Sequence, residues 1–122
     1  MTFRTFLRTV FACLISLAAI LPSHAEPAAA EKAKIESLIS HLENLKDATF
    51  VRNGSDYDAK SAAKFLRGKW QANDKDIKTA TDFIAKAATV SSTTGKPYLI
   101  RFKDGTQTKC SDYLTARLKE LK

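Results

Sequence analysis

The chain has 122 residues and carries 20 lysines and arginines against 13 acids, a formal charge of +7. That length suits one small domain, and two cysteines and two histidines are too few for a disulfide framework or a zinc cluster at finger-like spacing. The charge favours acidic surfaces as partners, although basic residues interleave with acids along the chain, the pattern of a solvated exterior.

The first segment reads as an address. Arg4 and Arg8 precede an apolar run from Val10 to Leu21, and Pro22-Ser23-His24-Ala25 offers a small-x-small cleavage site. The run is shorter than the roughly 18 residues a bilayer span needs, so the pattern predicts a signal peptide over residues 1–25 rather than an anchor. A lipoprotein signal is rejected, because Arg8 stands where the apolar core before Cys13 would have to be. Cleavage near Ala25 predicts a periplasmic or secreted protein with no transmembrane span in its mature part. Residues 26–122 then form one domain, and loss of Arg4 and Arg8 lowers the charge from +7 to +5.

The same cleavage removes Cys13 and His24. Cys110 is left without a disulfide partner in the chain; it reads as a small half-buried residue between strand and helix, or as a reactive or dimer-forming thiol. His41, left alone, builds neither a zinc site nor a triad by itself, and no metal or other cofactor is implied.

Glu26 to Ala30 is an alanine-rich leader containing Pro27. From Glu31 to Lys46, Ile35, Leu38, Ile39, Leu42 and Leu45 fall on one helical face, with His41 at its edge. Asp47 ends that helix, and Ala48 to Arg52 reads as a short strand. Asn53-Gly54 has hairpin-turn chemistry, but the residues beyond it lack a strand period. Ser55 with Asp58 instead resembles a capping box opening a second helix that runs to about Trp70. Ala59, Ala62, Ala63, Leu66 and Trp70 face inward on it, and the small alanines predict close packing. Thr79 and Asp82 form another capping pair, followed by a stripe of Ala80, Phe83, Ile84, Ala87 and Ala88.

Ser91 to Phe102 is the stretch around which the other elements are arranged. Gly95 supplies a positive φ for a hydroxyl-rich turn, and Pro97 removes a donor just before a strand in which Tyr98, Ile100 and Phe102 alternate with Leu99 and Arg101. Asp104-Gly105 turns the chain so that Thr106 to Thr108 return antiparallel to Ile100. Ser111 then caps a last helix with Leu114, Leu118 and Leu121 inward. The expected fold is α+β, in the order α-β-α-α-β-β-α, with a small, mainly antiparallel sheet packed by helices.

Phe50-Val51-Arg52-Asn53-Gly54 with Tyr57, Leu66-Arg67, Thr79-Ala80 with Phe83-Ile84, and Ser92 through Tyr98 with Asp104-Gly105 together resemble the YfeK-like family of small secreted bacterial proteins. The resemblance covers nearly the whole mature chain. It implies an envelope address and one α+β domain. It carries a domain-of-unknown-function label, and therefore no activity or catalytic residues.

No chemistry follows from motif spacing. Gly95-Lys96 invites a phosphate-loop reading, but Val90 stands at the upstream glycine position and Pro97 follows the lysine. A polar or anionic ligand site is the better candidate: Arg52, Asn53 and Tyr57 at one strand end, Ser92, Thr94, Lys96 and Tyr98 at another, and Arg67 on the second helix. These converge if the two strands are neighbours. The alternative is that they are ordinary turn, edge and capping residues.

Two functions remain open. One is a non-enzymatic binding or interaction module whose partner is an envelope protein or an anionic ligand; Thr94 to Tyr98 faintly resembles the S-G-x-x-Y loop of bacterial lysozyme inhibitors, which are mostly β and carry cysteine pairs. The other is a small hydrolase or transferase using Ser92 or Tyr57 with Lys96 as base, which needs Lys96 desolvated in a pocket beside them. Nucleic acid is not an expected partner, since no recognition motif is present. The sequence fixes no oligomeric state.

Overall fold

The computed structural model describes residues 26–121; the signal peptide expected over residues 1–25 lies outside the described residues. In chain order the elements are α1 (Glu26–Glu43), β1 (Thr49–Arg52), β2 (Ser55–Tyr57), α2 (Ala59–Ala72), α3 (Ala80–Ala87), β3 (Leu99–Arg101), β4 (Gln107–Lys109) and α4 (Cys110–Glu120). The α+β fold and the order of its expected elements are found, with one strand, β2, added.

That strand follows from the Asn53-Gly54 turn. Both residues have positive φ, 53° and 79°, the signature of a type I′ turn whose twist matches two antiparallel strands. The turn sends the chain straight back, so that Ser55 faces Arg52 and Tyr57 faces Phe50. Ser55 therefore does not open a helix. Asp58 takes that role, its carboxylate accepting from the Ser61 N–H at 2.8 Å.

Other boundaries shift for local reasons. Helix α1 begins at Glu26, within the alanine-rich leader, and ends at Glu43, where Asn44 bonds back to the Ser40 carbonyl through both its main-chain and side-chain nitrogens. Asp47 sits in the following loop with φ 59°. Helix α4 starts at Cys110 without a side-chain cap, one residue before the expected capping serine. Its first donor, the Cys110 N–H, bonds instead to the Tyr98 carbonyl at 2.8 Å. The capping box at Thr79 and Asp82 forms as the sequence predicts.

All pairings in the four-stranded sheet are antiparallel, in the order β2-β1-β3-β4. Phe50 faces Ile100, and Ile100 faces Thr108 on the returning strand. Strand alternation then puts Phe50, Tyr98 and Ile100 on the face that packs against the helices. No residue of the other face is buried, and there Arg101 pairs with Asp56.

The core lies between this sheet face and the helical stripes. Ile35, Leu38, Ile39 and Leu42 of α1, Phe83 of α3 and Leu114 of α4 are fully buried, each worth roughly 1.5–3 kcal/mol relative to exposure. The alanines of α2 let that helix approach α1, and Arg67 closes the contact by pairing with Glu36 at 3.1 Å and Glu43 at 3.7 Å. His41 and Tyr113 join α1 to α4 through an Nε2 to hydroxyl hydrogen bond of 2.8 Å.

Candidate functional site

Because β1 pairs with β3, the loops at the ends of these strands meet. The Asn53 amide bridges them: its Nδ2 donates to Ser91 Oγ at 3.1 Å, and its Oδ1 accepts from the Thr94 hydroxyl. The facing loop closes on itself, with the Ser91 N–H donating to the Lys96 carbonyl and the Gly95 N–H to the Ser91 carbonyl, both at 2.9 Å. Gly95 makes this turn at φ 74°. Ser91 is the one buried polar side chain of the described core; its Oγ also accepts from the Thr93 N–H. Much of the hydroxyl chemistry here is consumed in holding the loop.

Beside the bridge, α2 and the sheet enclose an open cleft of about 230 Å³. Phe50, Ala62, Leu66 and Cys110 contribute apolar wall, and Arg52, Tyr57, Ser61, Phe65 and Tyr98 also line it. On the α2 side Ala62, a small side chain, forms part of that wall. Tyr57, on the edge strand, is 37% exposed. Burial among these groups pushes the Cys110 thiol up to about 12, so at neutral pH it is a protonated, apolar wall residue.

The cations at this site are arranged around aromatic rings. The Arg52 guanidinium carbon lies 4.5 Å from the centre of Phe65, and among the described residues its buried Nε has no hydrogen-bond partner. Lys69 Nζ lies 5.8 Å from Phe65 and 5.0 Å from the Tyr98 ring; it donates to the Tyr98 hydroxyl at 2.9 Å and the Val90 carbonyl at 3.3 Å. Among the described residues, neither Arg52 nor Lys69 is paired with an acid.

The proposed site residues therefore divide. Arg52, Tyr57 and Tyr98 come together in the cleft, and Asn53 and Thr94 form the bridge beside it. Ser92 and Lys96 are exposed on the loop and do not line the cleft. Lys96 is exposed, and among the described residues no hydrogen bond joins its Nζ to Ser92 or Tyr57. Arg67 is turned to α1 and occupied by two carboxylates. Phe65 and Lys69 were not expected at the site. Their signal lies in the sequence of α2: an aromatic and a basic residue four apart share a face beside the alanine stripe.

No group of three or more His, Cys, Asp or Glu among the described residues is arranged to hold a metal ion, and no described helix is long and apolar enough to cross a membrane.

Residues 29–122 match the family of unknown function DUF5329. The chain belongs to that family. It is 38% identical over 92 residues to the uncharacterized protein YfeK of Salmonella typhimurium, covering 75% of this chain and 77% of that one. No solved structure matches. The family match thus extends, from residue 29 within α1 onward, across the cleft, the Asn53 bridge and the other described elements without bringing an activity to them.

Proposed function

We propose that the protein is a non-enzymatic binding module of the bacterial envelope, exported by residues 1–25, that receives a ligand or partner in the cleft between α2 and the β1–β2 hairpin. The observation that carries this reading is Arg52: a guanidinium without an acid partner among the described residues, held over Phe65 at an otherwise apolar cleft. Among the described residues the guanidinium has no carboxylate partner, and an acceptor that reaches it makes a hydrogen bond to a charged group, worth about 1.5–3 kcal/mol. Arginine and tyrosine flanking an apolar depression are also the residue types over-represented among those that dominate binding energy at interfaces. The Asn53 bridge serves the site by fixing the hairpin next to the 91–96 loop.

The reading is tested in cells by placing a photo-crosslinking benzoylphenylalanine at Tyr57 and, as a control, at Lys119 on α4. A discrete adduct is expected from position 57, at least fivefold weaker in the Arg52→Ala background. Equal labelling from both positions, or none from position 57, refutes the cleft as a binding surface.

A further inference from the structure

We infer that the ligand of this cleft is a polypeptide C-terminus whose last residue is large and apolar: its side chain fills the cleft and its terminal carboxylate pairs with Arg52. This rests on the binding reading above and specifies its chemistry.

Three features converge on that occupant. The first is size. A volume of about 230 Å³ is below the roughly 300–1,000 Å³ of drug-sized ligand pockets, and holds one large side chain rather than a long acyl chain or a cofactor. The second is charge. Arg52 and Lys69 both stand within 6 Å of the Phe65 ring without an acid partner among the described residues, so two cations beside the cleft are open to an anionic group. A guanidinium presents a planar fork that matches a carboxylate in two parallel hydrogen bonds, stronger than neutral ones.

The third feature separates a peptide from a free fatty acid. β2 is a sheet edge, and its Tyr57 lines the cleft. In a two-residue hairpin the pair flanking the turn, Arg52 and Ser55, exchanges hydrogen bonds, so the next pair, Val51 and Asp56, does not. The N–H and C=O of Asp56 therefore point away from β1, along the open edge. An extended peptide has main-chain groups that need such partners, as in strand addition to a sheet edge; an alkyl carboxylate has none.

The test is titration of the mature chain with a pentapeptide ending in phenylalanine, as the free acid and as the C-terminal amide, and with octanoate, each followed by amide chemical shifts. The free acid is expected to bind and to perturb Asp56, Phe65 and Tyr98, with the amide at least tenfold weaker and octanoate weaker than the free acid. Arg52→Gln is expected to bring the acid down to the level of the amide, and Ser61→Trp, at the exposed lip, to block both; retained far-UV circular dichroism shows that each variant is folded. Equal binding of acid and amide, tighter binding of octanoate, or no peptide binding at millimolar concentration overturns the inference. If the crosslink from position 57 persists in any of those cases, the binding module stands and only its ligand class is wrong.

Discussion

At Asn53 one side chain serves two structures. Its left-handed backbone makes the I′ turn, and its amide ties that turn to residues 38 and 41 positions away. Glycine keeps the backbone and removes the bridge, whereas alanine removes the bridge and adds a left-handed penalty of about 1 kcal/mol. Each lost hydrogen bond contributes about 1 kcal/mol. In urea unfolding, Asn53→Gly is therefore expected to cost about 1–2 kcal/mol and Asn53→Ala about 1 kcal/mol more. Equal losses would mean that the turn conformation carries no strain, and no loss for glycine that the bridge stabilises nothing. Arg52 next door is the opposite case, a side chain whose buried Nε has no hydrogen-bond partner among the described residues.

Among the elements, the helices were largely legible and one strand was not. The α1 stripe of Ile35, Leu38, Ile39 and Leu42 and the Thr79–Asp82 capping box are repeated local signals, and both are realised. β2 carries no such signal: Ser55, Asp56 and Tyr57 are all exposed, so no apolar alternation marks them, and only the Asn53-Gly54 turn announces the strand. The convergence of Arg52, Tyr57 and Tyr98 was legible only as a condition, that two strands be neighbours. Phe65 and Lys69 escaped because they lie one position outside the buried stripe of α2, where side chains are normally solvated. The α1–α4 junction yields a pH prediction. Desolvation, assisted by the nearby Arg117 charge and opposed by Glu120, lowers the His41 pKa from its ordinary 6.5. The unfolded state then takes up a proton before the folded state does, so stability present above about pH 6.5 is lost as the pH falls below it. The urea midpoint is expected to drop between pH 7.5 and 5.5, and to drop less in His41→Gln; identical pH profiles would show that protonation of His41 is not coupled to the junction.

For the molecule as a whole, the export reading predicts a mass. Protein recovered from bacterial envelope fractions is expected to begin at Glu26, and Ala25→Arg, which spoils the small residue before the cut, is expected to accumulate uncleaved chain. Intact mass measured on the recovered protein checks both; a retained Met1 in the wild type refutes the cleavage site. The sheet order has a further, kinetic consequence. β1–β2 and β3–β4 are local hairpins, and among the described residues the strand pairing that joins them is β1 against β3, across the entire stretch from Arg52 to Leu99. An isolated two-stranded ribbon is marginal in water and non-local pairing slows folding, so that distant closure is expected to dominate the folding rate. Until it happens Phe50 and Ile100 do not face each other, and the hollow beside α2 has only half its walls. The nascent chain must be almost finished before this surface exists.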